Sequence, residues 1–179
     1  TVAGGGAGVG VQQVGEGLVQ IGNTGRPLKD KEIEKFGLKT FPFAIDGVAL
    51  VVNPANNVSD ITAQQAADIY NGKITNWKEV GGNDEDIVVI NRASGSGTRA
   101  TFEAAVLAGE EAPSDFTPQK QDSSGTVTKM VSTTPGAISY VAFSYYDDSF
   151  KALKVDGVDP APENVEDNSW TIWAYEHMY

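Results

Sequence analysis

Apolar and polar positions along the chain follow two periods, one helical and one of strands. After a run of glycines, Val9, Val11, Val14 and Leu18 recur at helical spacing and predict a short helix weakened by glycine. Residues 18–22 read as a short strand, Asn23 to Leu28 as a turn, and residues 29–36 as a short charged helix. Two extended runs follow, residues 38–45 and 48–52, with Asp46-Gly47 expected as a turn between them. Successive long strands of this kind often carry a chain from one lobe to another. Thr62 is placed to cap a helix bearing Ala66, Ala67, Ile69 and Tyr70, and Asn71-Gly72 stops it. A polar loop over 81–86 precedes a strand at 87–90. A helix with Phe102, Ala105 and Val106 on one face comes next, then an acidic loop over 109–115 and a helix starting near Ser124. Strands are predicted at 137–141 and 151–155, then a turn at Asp156-Gly157-Val158, a Pro-rich loop and Trp170-Thr171-Ile172-Trp173. Strands and helices interleave, so the fold class is α/β. There is no internal repeat.

The joint between the strand at 87–90 and the helix after it carries the candidate chemistry. Its sequence is Asn91-Arg92-Ala93-Ser94-Gly95-Ser96-Gly97-Thr98-Arg99. Glycine permits a sharp turn and a close approach to a ligand. A helix start presents unpaired N–H groups and a partial positive charge, which suit an anion. Ser94, Ser96 and Thr98 add hydroxyl donors, and Arg92 adds a guanidinium at the end of a buried strand. Ser-Gly-Ser before a helix also serves as a plain N-cap and turn. Two further turns of this kind weigh toward the anion: Gln121-Asp122-Ser123-Ser124-Gly125-Thr126, and the N-terminal stretch from Ala3 to Gly10.

Composition narrows the reading. The chain has 179 residues, no cysteine and a net charge of −11, with a sequence pI near 4.4. The absence of cysteine removes disulfides and thiolate chemistry. The acidic balance argues against a nucleic-acid binder, which needs a basic stripe, and against docking on an anionic membrane. It does not forbid an anion site, since surface charge is screened over about 10 Å. No apolar run approaches the roughly 18 residues of a membrane span, and no signal-like segment opens the chain, so a mature or excised piece is expected. The sole histidine, His177, lies near the end of the chain, which argues against a Ser-His-Asp arrangement and against a histidine metal site. The acidic residues Asp84 to Asp86 read as a solvated loop. Trp77, Trp170 and Trp173 read as packing rather than a cofactor box, and no cofactor is expected.

The chain resembles the phosphate-binding proteins of ABC phosphate importers, a family of periplasmic or extracellular substrate-binding proteins. The resemblance spans nearly all of it. It is carried by Ile21-Gly22-Asn23-Thr24-Gly25-Arg26-Pro27-Leu28, by Asp46-Gly47-Val48-Ala49-Leu50-Val51-Val52-Asn53-Pro54, and by Gly72-Lys73-Ile74-Thr75-Asn76-Trp77-Lys78-Glu79-Val80-Gly81-Gly82. The Arg92 to Arg99 turn, Pro135-Gly136-Ala137-Ile138-Ser139-Tyr140-Val141 and the stretch from Leu153 to Val158 complete it. The resemblance implies a two-lobed periplasmic-binding-protein-like (Venus flytrap) fold that clamps phosphate between lobes. One lobe would comprise residues 1–47 and 142–179, and the other residues 48–141 with the Ser94–Thr98 turn. It implies that Arg92 pairs with phosphate oxygens, that Ser96 and Thr98 donate hydroxyls, and that the Gly97 N–H completes the cradle. A forked guanidinium suits a tetrahedral oxyanion.

The chain departs from the family pattern in places. A hydroxyl residue is usual where Ala7 stands, and an aspartate or serine where Gly25 stands; backbone N–H groups at Ala7 and Gly8 remain as donors. An earlier strand–turn–helix unit and a closing C-terminal helix are not evident, so a fold incomplete at both ends and a lopsided site are expected. The expected function is binding of inorganic phosphate for an ABC transporter permease, outside the cell or in the periplasm and associated with the cell surface. The alternative is an assembly or structural protein of the same fold, completed by a strand-donating chain or by self-assembly. An enzyme is not expected: no nucleophile–base pair is evident, and no lysine follows Gly95-Ser96-Gly97 as a P-loop would require.

Overall fold

One strand, β2 (Phe41–Val52), organises the molecule, a computed structural model that describes residues 4–108, 116 and 118–179. Its second half is fully buried and its first half exposed. The first half pairs antiparallel with β9 (Trp173–Met178), from Phe41 opposite Met178 to Gly47 opposite Trp173. The second half pairs antiparallel with β6 (Ala137–Ala142), with Leu50 opposite Tyr140. The turn expected at Asp46-Gly47 is absent, because both residues stay in register with β9. Gly47 serves a close approach instead. A Cβ there would lie 2.5 Å from the Phe143 ring, so only glycine lets that ring rest on the strand.

β1 (Asn23–Thr24) pairs with Met178 and His177 of β9. β4 (Val88–Arg92) lies parallel to β6 and to β5 (Gln119–Gln121), giving a mixed sheet in the order β1-β9-β2-β6-β4-β5. The strand expected at 18–22 does not form. Leu18 and Ile21 are exposed and find no partner strand: Leu18 and Val19 donate back to the Gln13 carbonyl, and Gly22 exchanges backbone bonds with Tyr179. The strand expected at 151–155 is two short ones, β7 (Lys151–Ala152) against β2 and β8 (Lys154–Val155) against β3 (Asp60–Ile61). Leu153 between them is fully buried, and its N–H donates to the Leu50 carbonyl at 2.9 Å.

The helices are α1 (Ala7–Gly15), α2 (Asp30–Phe36), α3 (Ala63–Tyr70), α4 (Gly97–Phe102), α5 (Ser124–Thr133) and α6 (Pro162–Glu166). Thr62 caps α3 as expected, its hydroxyl accepting from the Gln65 N–H at 3.0 Å. A π-helical stretch, Glu103–Leu107, continues α4. The acidic loop expected over 109–115 lies outside the described residues, as does Ala3. None of the described helices is long and apolar enough to cross a membrane.

The alternation of β2 divides the core between its two faces. Val48, Leu50 and Val52 join Ile69, Trp77, Phe102, Tyr140 and Trp170 on one side. Ala49 and Val51 join Ile90, Val127, Val131 and Val141 on the other. Trp77 and Trp170 are core residues, as their sequence context suggested.

A buried ion pair anchors the segment between β1 and α2. Arg26, only 4% exposed, holds both Glu32 carboxylate oxygens, at 2.7 and 2.8 Å. Hydrogen bonds from that guanidinium hold the Glu32 carboxyl below the usual carboxylate range. A depressed carboxyl stabilises the fold above its unfolded value, and that contribution is lost as pH falls through the folded value. Glu32→Ala is therefore expected to destabilise the chain by about 2 kcal/mol at neutral pH, leaving a buried guanidinium unpaired. Urea titrations of both proteins check it, and the gap between them should shrink toward acidic pH.

Candidate functional site

The site is built where four glycine-containing turns meet. β4 delivers Arg92 to its C-terminal end, and the chain then reverses through Ala93 to Ser96, whose N–H donates to the Ala93 carbonyl at 3.2 Å. Gly95 has φ +101°, in the left-handed region that glycine tolerates. Ser96 caps α4, its hydroxyl accepting from the Arg99 N–H at 3.2 Å. The N–H groups of Gly97 and Thr98 make no hydrogen bond among the described residues, and the Thr98 hydroxyl makes none either. Ser96 and Gly97 are buried, Thr98 is half-buried and Ser94 is exposed.

Arg92 is buried and turned toward the start of α5. Its Nη1 donates to the Ser124 hydroxyl at 2.7 Å and its Nη2 to the Asp122 carbonyl at 3.1 Å, while its buried Nε has no partner. Its side chain forms no ion pair with a carboxylate among the described residues. Burial lowers its proton affinity, yet a guanidinium remains a cation inside a protein. The turn at Gln121 to Thr126 is therefore part of the same arrangement. Ser123 caps α5 and Ser124 holds Arg92.

The N-terminal glycine turn abuts the Ser94–Thr98 turn backbone to backbone. The Gly8 N–H donates to the Gly95 carbonyl at 3.2 Å, and a Cβ on Gly6 would lie 3.1 Å from that same oxygen. The Gly8 donor is thus engaged in this structure. Ala7 is buried at the start of α1. The turn after β1 approaches from another side: a Cβ on Gly97 would lie 3.0 Å from the Gly25 Cα, and the Thr101 hydroxyl lies 3.3 Å from the Gly25 carbonyl.

A cleft of about 140 Å³ opens beside this junction, lined by Arg26, Lys29, Ser94, Ser96, Arg99 and Glu103 among others. Of the residues expected to hold the anion, Ser96 lines this cleft; Arg92, Gly97, Thr98, Ala7 and Gly8 do not. Arg26, Lys29 and Arg99 are cleft-lining cations that the sequence reading left without a role. The two arginines are matched by carboxylates, Arg26 by Glu32 and Arg99 by Glu103 at 2.6 Å. The only sequence signal for Arg26 is its place in the Ile21 to Leu28 segment. His177 makes no hydrogen bond to a serine or carboxylate among the described residues. No group of three metal-ligating side chains occurs among them either.

Comparison with known proteins identifies the family of the chain. The model of a PBP superfamily domain matches residues 1–179. The phosphate-binding protein PstS of Bacillus subtilis is 47% identical over 180 residues, covering 99% of this chain and 59% of that protein. PstS of Borreliella burgdorferi is 32% identical, covering 93% and 63%. The chain thus spans about three fifths of the curated relatives it matches. Among solved structures, a putative phosphate ABC transporter substrate-binding protein with bound phosphate from Clostridium perfringens superposes with a TM-score of 0.90 at 44% identity, over 97% of this chain and 70% of that one. An ABC-type phosphate transport receptor from Vibrio cholerae gives 0.76 at 33% identity, over 99% and 73%. By its matched length and by its mixed, β2-centred α/β architecture, this chain belongs to the PBP superfamily domain family.

Proposed function

We propose that this chain binds inorganic phosphate as part of the substrate-binding component of an ABC-type phosphate importer. It would act in the periplasm or at the outer cell surface and deliver phosphate to a permease. One observation carries the reading: Arg92 is a buried guanidinium with an unpartnered Nε and no carboxylate in ion-pair contact among the described residues, beside a turn whose first two helical N–H groups are unbonded there. A buried cation without a counterion is costly unless a ligand supplies one. The neighbouring Arg26 and Arg99 have carboxylate partners, although the Arg26 Nε is likewise unpartnered. The relatives in Bacillus subtilis and Borreliella burgdorferi, both phosphate-binding proteins by name, support the choice of ligand.

In this reading β2 runs from one lobe to the other, and Arg92, Ser96, Gly97 and Thr98 form the stronger wall of the site. We draw the return crossing near Ile172, later than residue 142. Leu153, Val165, Trp170 and Ile172 share a core with Val48 and Leu50, which supports that boundary. Ala7 and Gly25 bring no side-chain donor to the opposite wall.

Calorimetric titration of phosphate into the chain tests the proposal. Saturable binding is expected, and Thr98→Val should weaken it by about 1–3 kcal/mol, since the variant keeps the shape and deletes a donor. Absence of binding by the parent, or an unchanged affinity in Thr98→Val together with an anion seated elsewhere, would count against it.

A further inference from the structure

We propose that Tyr140 and Arg99 are positioning residues of the phosphate site: they fix the backbone of Arg92, and with it the angle at which the guanidinium meets the anion. The inference rests on the reading that Arg92 and the turn after it bind phosphate. A forked guanidinium pairs with an oxyanion in a narrow geometry, so whatever sets the backbone at its root sets the strength of the pair. Arg92 is the last residue of β4, and the end of a strand is ordinarily the loosest part of a ladder.

Side chains replace the ladder at this end. Among the described residues β4 pairs with β6 only from Val88 opposite Ala137 to Val89 opposite Ile138. The Val88 N–H donates to the Gly136 carbonyl at 3.0 Å, beside β6, whereas the Ala93 N–H donates to Gln121 of β5. Alternation then turns the backbone groups of Ile90 and Arg92 toward β6. There the Ser139 hydroxyl donates to the Ile90 carbonyl at 2.7 Å. The Arg92 N–H donates to the Asn91 Oδ1 at 2.8 Å, with the Tyr140 hydroxyl at 3.5 Å, and the Tyr140 O–H donates to the same Asn91 oxygen. The Arg92 carbonyl accepts from the Arg99 Nη1 at 2.8 Å. Both holders are themselves fixed. Tyr140 is fully buried and stacks on Phe102 of α4, with 4.3 Å between ring centroids and 10° between planes. Burial pushes the proton affinity of its hydroxyl up, so it stays a donor. Arg99 gives its Nε to Glu103 at 2.6 Å, so its charge is matched and its Nη1 acts by geometry.

Phosphate titration of the parent chain and a set of variants tests the assignment. Tyr140→Phe keeps the ring and its stack and deletes the O–H, so affinity should fall about fivefold, the equivalent of one hydrogen bond. The double variant Arg99→Met/Glu103→Gln deletes the donor to the Arg92 carbonyl without leaving a charge unpaired, and should cost about tenfold. Arg99→Lys should stay nearer the parent, since an ammonium can still donate to that carbonyl. A double-mutant cycle separates positioning from a merely structural role. In an Arg92→Lys background the same changes should matter less than about twofold, because a flexible ammonium depends little on the backbone angle. In a Thr98→Val background, which removes a different contact, they should keep their full effect. Amide NMR shifts follow the titrations whose affinity is too weak for calorimetry. Equal losses in both backgrounds, or an unchanged affinity in Tyr140→Phe and in Arg99→Met/Glu103→Gln, would overturn the positioning role and leave phosphate binding intact. A parent chain that binds no phosphate would overturn both.

Discussion

Replacing Arg92 with alanine is expected to weaken phosphate binding by about 2–5 kcal/mol, the usual cost of deleting one partner of a buried charge pair. The size follows from the surroundings of the guanidinium. It is buried, it spends one donor on Ser124 and one on the Asp122 carbonyl, and its Nε is unpartnered. No carboxylate pairs with it among the described residues, so its desolvation is only partly offset until an anion arrives. The same logic predicts an asymmetry between binding and folding. Removing an unneutralised buried charge should leave the urea midpoint of the ligand-free chain nearly unchanged, within about 1 kcal/mol, while affinity collapses. Arg92→Lys should recover only part of the affinity, because an ammonium keeps the charge and loses the planar fork. Calorimetry with parallel urea titration checks both. If stability fell as far as binding, Arg92 would be a structural residue clamping α5 to β4, and an unchanged affinity would remove it from the site.

The parts of this molecule that are dominated by a single physical preference were legible in the sequence. The apolar β-branched run before Asn91 forms β4, Thr62 caps α3 and Ser96 caps α4. In each case the local signal and the tertiary contact agree. The family resemblance, resting on several linked segments, led to the fold that the comparisons support. What was misread depended on distant partners. Gly47 looked like a turn because glycine beside aspartate often is one, but the Phe143 ring that demands it lies 96 positions further along the chain. The strand expected at 18–22 had apolar residues and nothing to pair with, whereas Asn23–Thr24, with no apolar pattern, forms a ladder because β9 passes beside it. β9 and β5 were not anticipated either, since Glu176 and His177 interrupt one and Gln119 to Gln121 carry no hydrophobic alternation.

Truncating Trp170 to alanine is expected to cost about 3–5 kcal/mol of folding stability, the range for removing a fully buried large aromatic side chain. Trp170 is 1% exposed, and its indole N–H is shared between the carbonyls of Val48 at 3.1 Å and Ile172 at 3.2 Å. Those carbonyls belong to the two segments that cross the middle of the molecule. Val48 follows the Gly47 step at which β2 changes partners from β9 to β6, and Ile172 precedes the start of β9. The Val48 N–H also bonds the Ile172 carbonyl, at 2.8 Å, and the Phe143 ring packs on the indole at 6.4 Å between centroids. Trp170 thus fills the core beneath the crossing and ties its two strands through one donor. Trp170→Phe keeps most of the apolar volume and loses that donor, so it should cost about 1–2 kcal/mol. If these strands are the hinge of a two-lobed binding protein, the phenylalanine variant should also bind phosphate less tightly than its stability loss accounts for, because a looser crossing populates more open states. Urea titration of both variants, followed by phosphate calorimetry on Trp170→Phe, separates the two effects. A loss below about 1 kcal/mol in Trp170→Ala would mean that Trp170 is peripheral to the fold. Full affinity in a destabilised Trp170→Phe would place the hinge elsewhere than the Val48–Ile172 crossing.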